Sequence, residues 1–239
     1  QPPDRTRRYG ADQARRIVEE SEKQMAHIHQ TAAEYGVDCD TSTVLSHRSF
    51  EEVFEVADRK QADLVVMGWG DDQVWDAART ERPVDELAGN LPCDFLVLKD
   101  RNLDTSRVLL ATAGSAASDL NARVARTLRD VADSEVTLLY VVDGPGQREA
   151  GERFLHDWAD EHDLGDAVRV VDDSGDVEGA IASLAEDHTL LMLGASERGL
   201  LSRLARGSLY RDVVDEVGCS VLLAERERHR SLLERLLGR

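Results

Sequence analysis

Apolar residues fall along this chain in short unbroken runs, separated by stretches with helical spacing. Leu64-Val65-Val66-Met67-Gly68 and Leu190-Leu191-Met192-Leu193-Gly194 are apolar up to a closing glycine. That is the pattern of a strand covered on both faces in a parallel sheet, where alternation is lost. A helical stretch precedes each run, marked by Val53, Phe54 and Ala57 in the first case and by Ala180, Ile181 and Leu184 in the second. Gly68 to Cys93 and Gly194 to Cys219 both span 25 residues, and each cysteine opens a further apolar run, at 94–98 and 220–224. A strand–helix–strand unit repeated at one internal spacing is an internal duplication.

The second copy is complete. A strand is predicted over 107–112, then a small-residue turn Ala113-Gly114-Ser115-Ala116-Ala117-Ser118 that suits a helix start. Leu120, Val124, Ala125 and Leu128 continue at helical spacing, and strands are predicted over 136–142 and 168–171 with a helix at 149–161 between them. Strands alternating with helices give a doubly wound parallel α/β sheet. The first copy opens instead on a long helix over 12–35, with Ala14, Ile17, Val18, Met25 and Ile28 on one side, Gly36 as its C-cap and a strand at 39–44. It has no room for an opening strand–helix–strand. Because a sheet without its central strands exposes apolar edges, and the chain starts at Gln1, completion by preceding residues is expected; a degenerate half-domain is the alternative. The predicted organisation is a truncated first unit at 1–102, a complete unit at 103–226, each with its own sheet, and an amphipathic helix at 227–239 carrying Leu232, Leu233, Leu236 and Leu237.

Charge narrows the function classes. The formal net charge of −18 is even along the chain, with 21 acidic and 12 basic residues in 1–100 and 26 and 17 in the rest. Only Lys23, Lys60 and Lys99 are lysines; arginine supplies the other 26 cations. Such a surface suits a halophile's cytoplasm, where at molar salt the Debye length is about 3 Å and self-repulsion is screened. No basic patch exists to release counterions, so nucleic acid is not an expected partner. Cys39, Cys93 and Cys219 are odd in number and widely spaced, which argues against disulfides and zinc and for a reducing compartment. No run of about 18 apolar residues occurs that would cross a bilayer.

The strand ending Gly194-Ala195-Ser196, the Gly207-Ser208 helix start and the closing Gly218-Cys219-Ser220-Val221-Leu222-Leu223 resemble the back end of universal stress protein domains, and residues 108–115 resemble their front end. The resemblance spans 105–226 and, in the truncated copy, about 40–100. ATP-binding members carry glycine, two residues, glycine, nine residues, then glycine with serine or threonine, plus an aspartate after the first strand. Bare glycines let backbone N–H groups approach phosphates, and the final pair opens a helix toward them. Gly194, Gly207 and Ser208 match, with the 13-residue offset, but Glu197 replaces the second glycine and Ala113 the aspartate. Arg198, with Arg203 and Arg206, is placed to offset Glu197 or to stay solvated. Gly194, Gly207, Ser208 and Arg198 therefore form a vestigial nucleotide site, and no bound cofactor is expected. In the first copy Glu81 and Arg82 fall where glycine and serine would stand, beside Asp71 and Asp72.

Other chemistry is thin. Walker, GxGxxG and GxSxG motifs are absent. His27 and His29 point to different faces of a helix, His156 and His162 lie among acids, and Asp172-Asp173 follows a strand as a solvated turn. Cys93 and Cys219 open apolar strands and are expected to be buried and inert. Trp69 and Trp75 are candidates for packing between copies or on a partner, with simple surface packing as the alternative. The resemblance implies a non-enzymatic regulatory or assembly module whose domains pair through their last strands, as a homodimer or an internal pseudo-dimer. In archaea such tandem domains also follow cationic amino-acid permeases, which suggests a cytosolic transporter tail joined to a membrane domain of the same protein. The alternative is a stand-alone tandem stress protein that binds ATP.

Overall fold

The structure, a computed structural model, describes residues 11–41, 49–68, 91–194 and 210–227. It divides into two compact units, 1–47 and 48–239.

Within the first unit, α1 spans Ala11–Glu34. It ends where the sequence places its cap: Gly36 has φ +66°, its N–H donates to Ala33 O at 3.1 Å, and the Val37 N–H donates to Ala32 O at 2.9 Å. This is a Schellman closure, in which a left-handed residue satisfies the last carbonyls. The strand expected at 39–44 is not formed over its described part, 39–41. Among the described residues this unit holds only a helix, so an extended segment has no ladder to join; 42–48 lie outside the description.

The second unit runs α2 (Ser49–Lys60), β1 (Leu64–Gly68), β2 (Asp94–Lys99), β3 (Arg107–Ala111), α3 (Ala116–Ala132), β4 (Glu135–Val141), α4 (Arg148–Glu161), β5 (Val168–Asp172), α5 (Val177–Ala185), β6 (Leu190–Gly194), α6 (Tyr210–Glu216) and β7 (Ser220–Glu225). The sequence predicts two sheets; among the described residues the structure has one. Seven strands lie in the order β1-β2-β7-β6-β3-β4-β5, all parallel except the β2–β7 pair. The physical reason lies at the last strands. β2 and β7 are both apolar, and each left alone would expose unpaired backbone along an aggregation-prone edge; pairing them satisfies both.

The register of that join is set by the repeat. Val97 sits opposite Leu223. These residues are 126 positions apart, the same offset that separates Gly68 from Gly194 and Cys93 from Cys219. Equivalent residues therefore face each other across the join, the mark of a two-fold relation. Two further hydrogen bonds obey it: the Arg101 N–H donates to Ser220 Oγ at 2.9 Å, and the Glu227 N–H, 126 residues later, donates to Asp94 Oδ1 at 3.1 Å.

The sheet is packed on both faces. On one, Phe95, Val97, Leu191, Leu193, Val221 and Leu223 meet α2, α5 and α6 through Phe54, Ile181 and Val214. On the other, Val108, Leu110, Leu190, Met192 and Leu222 meet α3 and α4 through Leu120, Ala125, Leu155 and Trp158. This double cover explains the unbroken apolar run of β6; β1, expected to be covered likewise, leaves Leu64 and Val66 exposed on one face. Among the described residues no helix is long and apolar enough to cross a membrane. The boundary drawn from sequence at 102/103 falls in the β2–β3 connection, where Asx turns (Leu103 N–H to Asp100, Ser106 N–H to Asp104, each 2.8 Å) tighten the chain.

Candidate functional site

In an open α/β sheet, ligands sit outside the carboxyl ends of the strands where the strand order reverses. Here that switch point lies between β3, which continues to β4, and its other neighbour β6. Gly194 closes β6, and Thr112-Ala113-Gly114-Ser115 follows β3, so the fold brings the two halves of the expected site together.

The turn after β3 is closed upon itself by hydroxyls. Ser115 caps α3, its Oγ accepting from the Ser118 N–H at 3.2 Å. The Ala113 N–H donates to Ser118 Oγ at 3.3 Å and the Gly114 N–H to Thr112 Oγ1 at 3.1 Å, while the two serine hydroxyls lie 3.1 Å apart. Gly114 needs to be glycine: its φ is +64°, and a Cβ there would meet the Phe154 ring at 2.9 Å. Phe154 is in turn stacked on Tyr140, with ring centroids 4.5 Å apart. Ala113 offers no polar side chain to this crevice.

Gly194 has a packing reason of its own. A Cβ on it would lie 2.9 Å from the Ser118 nitrogen and 3.0 Å from the Ala117 carbonyl carbon, so the end of β6 presses on the first turn of α3. At Gly68, the same position in the first copy, no described atom lies within 4 Å. The other predicted site residues, Gly207, Ser208 and Arg198, lie outside the described residues, as do Glu197, Arg203, Arg206, Glu81, Arg82, Trp69 and Trp75.

The remaining candidates resolve into structural roles. Asp172 accepts from the Ser174 N–H at 2.9 Å and from the Ser174 hydroxyl; these bonds hold its carboxyl below the usual range, and Asp173 pairs with Arg148 at 2.8 Å. His162 packs on Trp158, ring centroids 4.4 Å apart, and both reach Asp119, at 3.2 Å each. His29 lies 2.8 Å from Thr41 Oγ1. Among the described residues no group of three metal-ligating side chains converges. Burial raises the pKa of both Cys93 and Cys219, with Asp94 adding to the effect at Cys93. Protonated thiols are poor nucleophiles.

Sequence reasoning missed a polar cluster beside the β2–β7 join. Asp94 is buried, receives Arg123 at 2.9 Å and Arg226 at 3.1 Å, and accepts the Glu227 N–H. Arg101, the two-fold counterpart of Glu227, donates to the carbonyls of Asp215 (3.0 Å), Val217 and Cys219 (3.4 Å), capping the exit of α6. The only signal in the sequence was a charged residue at the head of an apolar strand. Next to Asp94 lies a groove of about 930 Å³, walled by Leu64 and Leu96 of the sheet and by Leu120, Val124 and Leu128 of α3.

The model of the universal stress protein family matches residues 105–225. Among solved structures, a universal stress protein from Archaeoglobus fulgidus DSM 4304 is similar at a TM-score of 0.63 and 14% identity, over 93% of this chain and 83% of that one. A functionally unknown protein from Pseudomonas aeruginosa PAO1 is similar at 0.56 and 16%, over 84% and 76%. The cytoplasmic domain of a prokaryotic cation chloride cotransporter is similar at 0.58 and 13%, over 85% and 79%. At these identities the structures share the fold alone. No curated protein matches this chain. The family model matches half of the sequence, and the chain belongs to the universal stress protein family.

Proposed function

We propose that this chain is a regulatory and assembly module without catalytic activity, acting as the cytosolic part of an amino-acid transporter. The observation that carries the first half is the state of the switch point. The hydroxyls of Thr112, Ser115 and Ser118 serve their own turn, and Ala113 stands where nucleotide-binding relatives carry an acid. Among the described residues the crevice offers support to α3 and no group aligned for acid–base or nucleophilic chemistry. The second half is supported by likeness to a cotransporter's cytoplasmic domain across most of both chains. The test is fractionation of the native cells with an antibody against this chain. The expected signal is a polypeptide much longer than 239 residues in the membrane fraction; a soluble species of this length would overturn the transporter reading.

A second reading, a stand-alone tandem stress protein that binds ATP, is favoured by Gly194 at the switch point and by the solved Archaeoglobus fulgidus protein. Melting in high salt with millimolar Mg-ATP separates the two. A ligand at about 100 times its Kd stabilises by about 2.7 kcal/mol, so a rise of several degrees supports binding and an unchanged Tm supports the module.

A further inference from the structure

The apolar residues of α1 are arranged to meet another helix rather than a sheet. Ser21, Met25, Ile28, Ala32 and Tyr35 follow one another at steps of four, three, four and three, and Ala14 and Val18 extend the same spacing upstream. Between Glu19 and Glu34 every position off this line is polar or alanine. A helix covering a sheet shows an apolar stripe about 100° wide or more, three to four residues in every two turns. Two in seven, at a period of about 3.5, is the narrower seam along which helices supercoil. On the seam, Ser21, Met25 and Ala32 are partly buried, while Ile28 and Tyr35 are 48% and 80% exposed. The chain beyond Gly36 returns on the other side of the seam: Thr41 Oγ1 lies 2.8 Å from His29, which shares a side with Met25 and Ala32.

We propose that α1 is the surface through which this chain binds a second copy of itself, the two helices pairing in parallel as a coiled coil. The last strands, the surface expected to join two copies, are already spent within one chain, since β2 pairs with β7. A seam with a period of about 3.5 calls for a helix that carries the same period. The described helices of the second unit spend their apolar residues on the sheet. Phe54, Ile181 and Val214 of α2, α5 and α6 cover one face, and Leu120, Leu155 and Trp158 of α3 and α4 cover the other. The matching seam is therefore that of another α1, which makes the contact self-complementary about a two-fold axis. At 24 residues, about 36 Å, the helix holds more than three heptads. Charge sets the direction. Glu22, Gln24, His29 and Thr31 flank the seam, and Glu22 is the one acid among them. An antiparallel pair joins equivalent flanks and sets Glu22 against Glu22 of the second copy. A parallel pair sets Gln24 beside His29 of the second copy and keeps the two carboxylates apart.

Sedimentation equilibrium of the 239-residue chain tests this in molar KCl, where the self-repulsion of a net charge of −18 is screened. The expected result is a concentration-dependent equilibrium between monomer and dimer. Ile28→Gln/Tyr35→Gln, which makes the exposed side of the seam polar without adding charge, should raise the Kd of the dimer at least tenfold. Ala26→Gln/Ala33→Gln, at exposed positions off the seam, should leave it unchanged. A parent chain that stays monomeric at every concentration overturns the proposal. So does a seam variant that dimerises like the parent, or equal weakening by both variants. Ser21→Cys supplies an independent readout with the apolar seam intact. A parallel pair brings the two Cys side chains face to face, so mild oxidation should give a disulfide-linked dimer that the parent chain does not form; no such dimer would overturn the parallel pair. Hydrogen exchange at 190–194 reports whether each variant is folded, and a seam variant that loses protection there leaves Ser21→Cys to decide.

Discussion

Val97 pairs with Leu223, the residue that holds its own place in the other copy. Both are fully buried, at the centre of the single antiparallel join in a parallel sheet. Truncating Leu223 to Ala removes a packed side chain from a site with little room to collapse and is expected to cost about 2–5 kcal/mol. Val97→Ala is expected to cost less. Because the two residues are neighbours across the ladder, the double variant should depart from additivity by at least about 0.5 kcal/mol. Urea melts of the four proteins in high salt measure this; strict additivity would mean that the join is not formed in solution.

Asp94 is expected to be the most sensitive acid beside that join. Its carboxylate accepts from Arg123, Arg226 and the Glu227 N–H. Asp94→Ala leaves these donors without their acceptor, and a loss of about 1–3 kcal/mol is expected. Asp173→Ala, which removes an exposed pair with Arg148, should cost well under about 1 kcal/mol. Equal losses for the two variants would contradict the structure.

Alkaline pH should destabilise the fold through its buried thiols. The folded-state pKa values of Cys93 and Cys219 are raised above the ordinary 9.0, chiefly by burial. The unfolded chain therefore loses these protons first, and above pH 9 it binds fewer than the native state. Stability is fully present below pH 9 and falls as pH rises beyond it. A Cys93→Ala/Cys219→Ala variant should have a lower Tm at pH 7.5 but a shallower decline between pH 9 and 10.5. Parallel declines would show that the thiols are not buried.

How much of this was legible in the sequence follows from the range of each interaction. The runs ending at Gly68 and Gly194 locate β1 and β6 by their unbroken apolar content, although only β6 is covered on both faces and β1 leaves Leu64 and Val66 exposed. The cap at Gly36 and the helix start at Ser115 depend on neighbours in sequence, and both are where they were expected. That the last strands pair came only from the family resemblance, which left open whether within one chain or between two, since nothing local in 94–99 or 220–225 says that these strands meet in one sheet. Asp94 was not legible, because its partner Arg226 lies more than a hundred residues away. The strand expected at 39–44 is not formed over 39–41, its described part, because a short extended stretch becomes a strand only beside a partner strand.

The vestigial site is decided by comparing one substitution in two places. Gly194 ends β6 so close to α3 that a Cβ would lie 2.9 Å from the Ser118 nitrogen, a backbone atom that moves only with its helix. Gly194→Ala should therefore destabilise the apo protein by about 1–3 kcal/mol, the range for an overpacked core, in the absence of any nucleotide. Gly68 ends the equivalent strand with no described atom within 4 Å and without a positive φ. Gly68→Ala should be neutral or stabilise by up to about 1 kcal/mol, through the reduced freedom of the unfolded chain. If both substitutions leave the apo Tm unchanged and Gly194→Ala instead abolishes a shift induced by Mg-ATP, then Gly194 is kept for phosphate. If Gly194→Ala alone melts early, the glycine that looks like half a phosphate cradle is there to let a strand meet a helix.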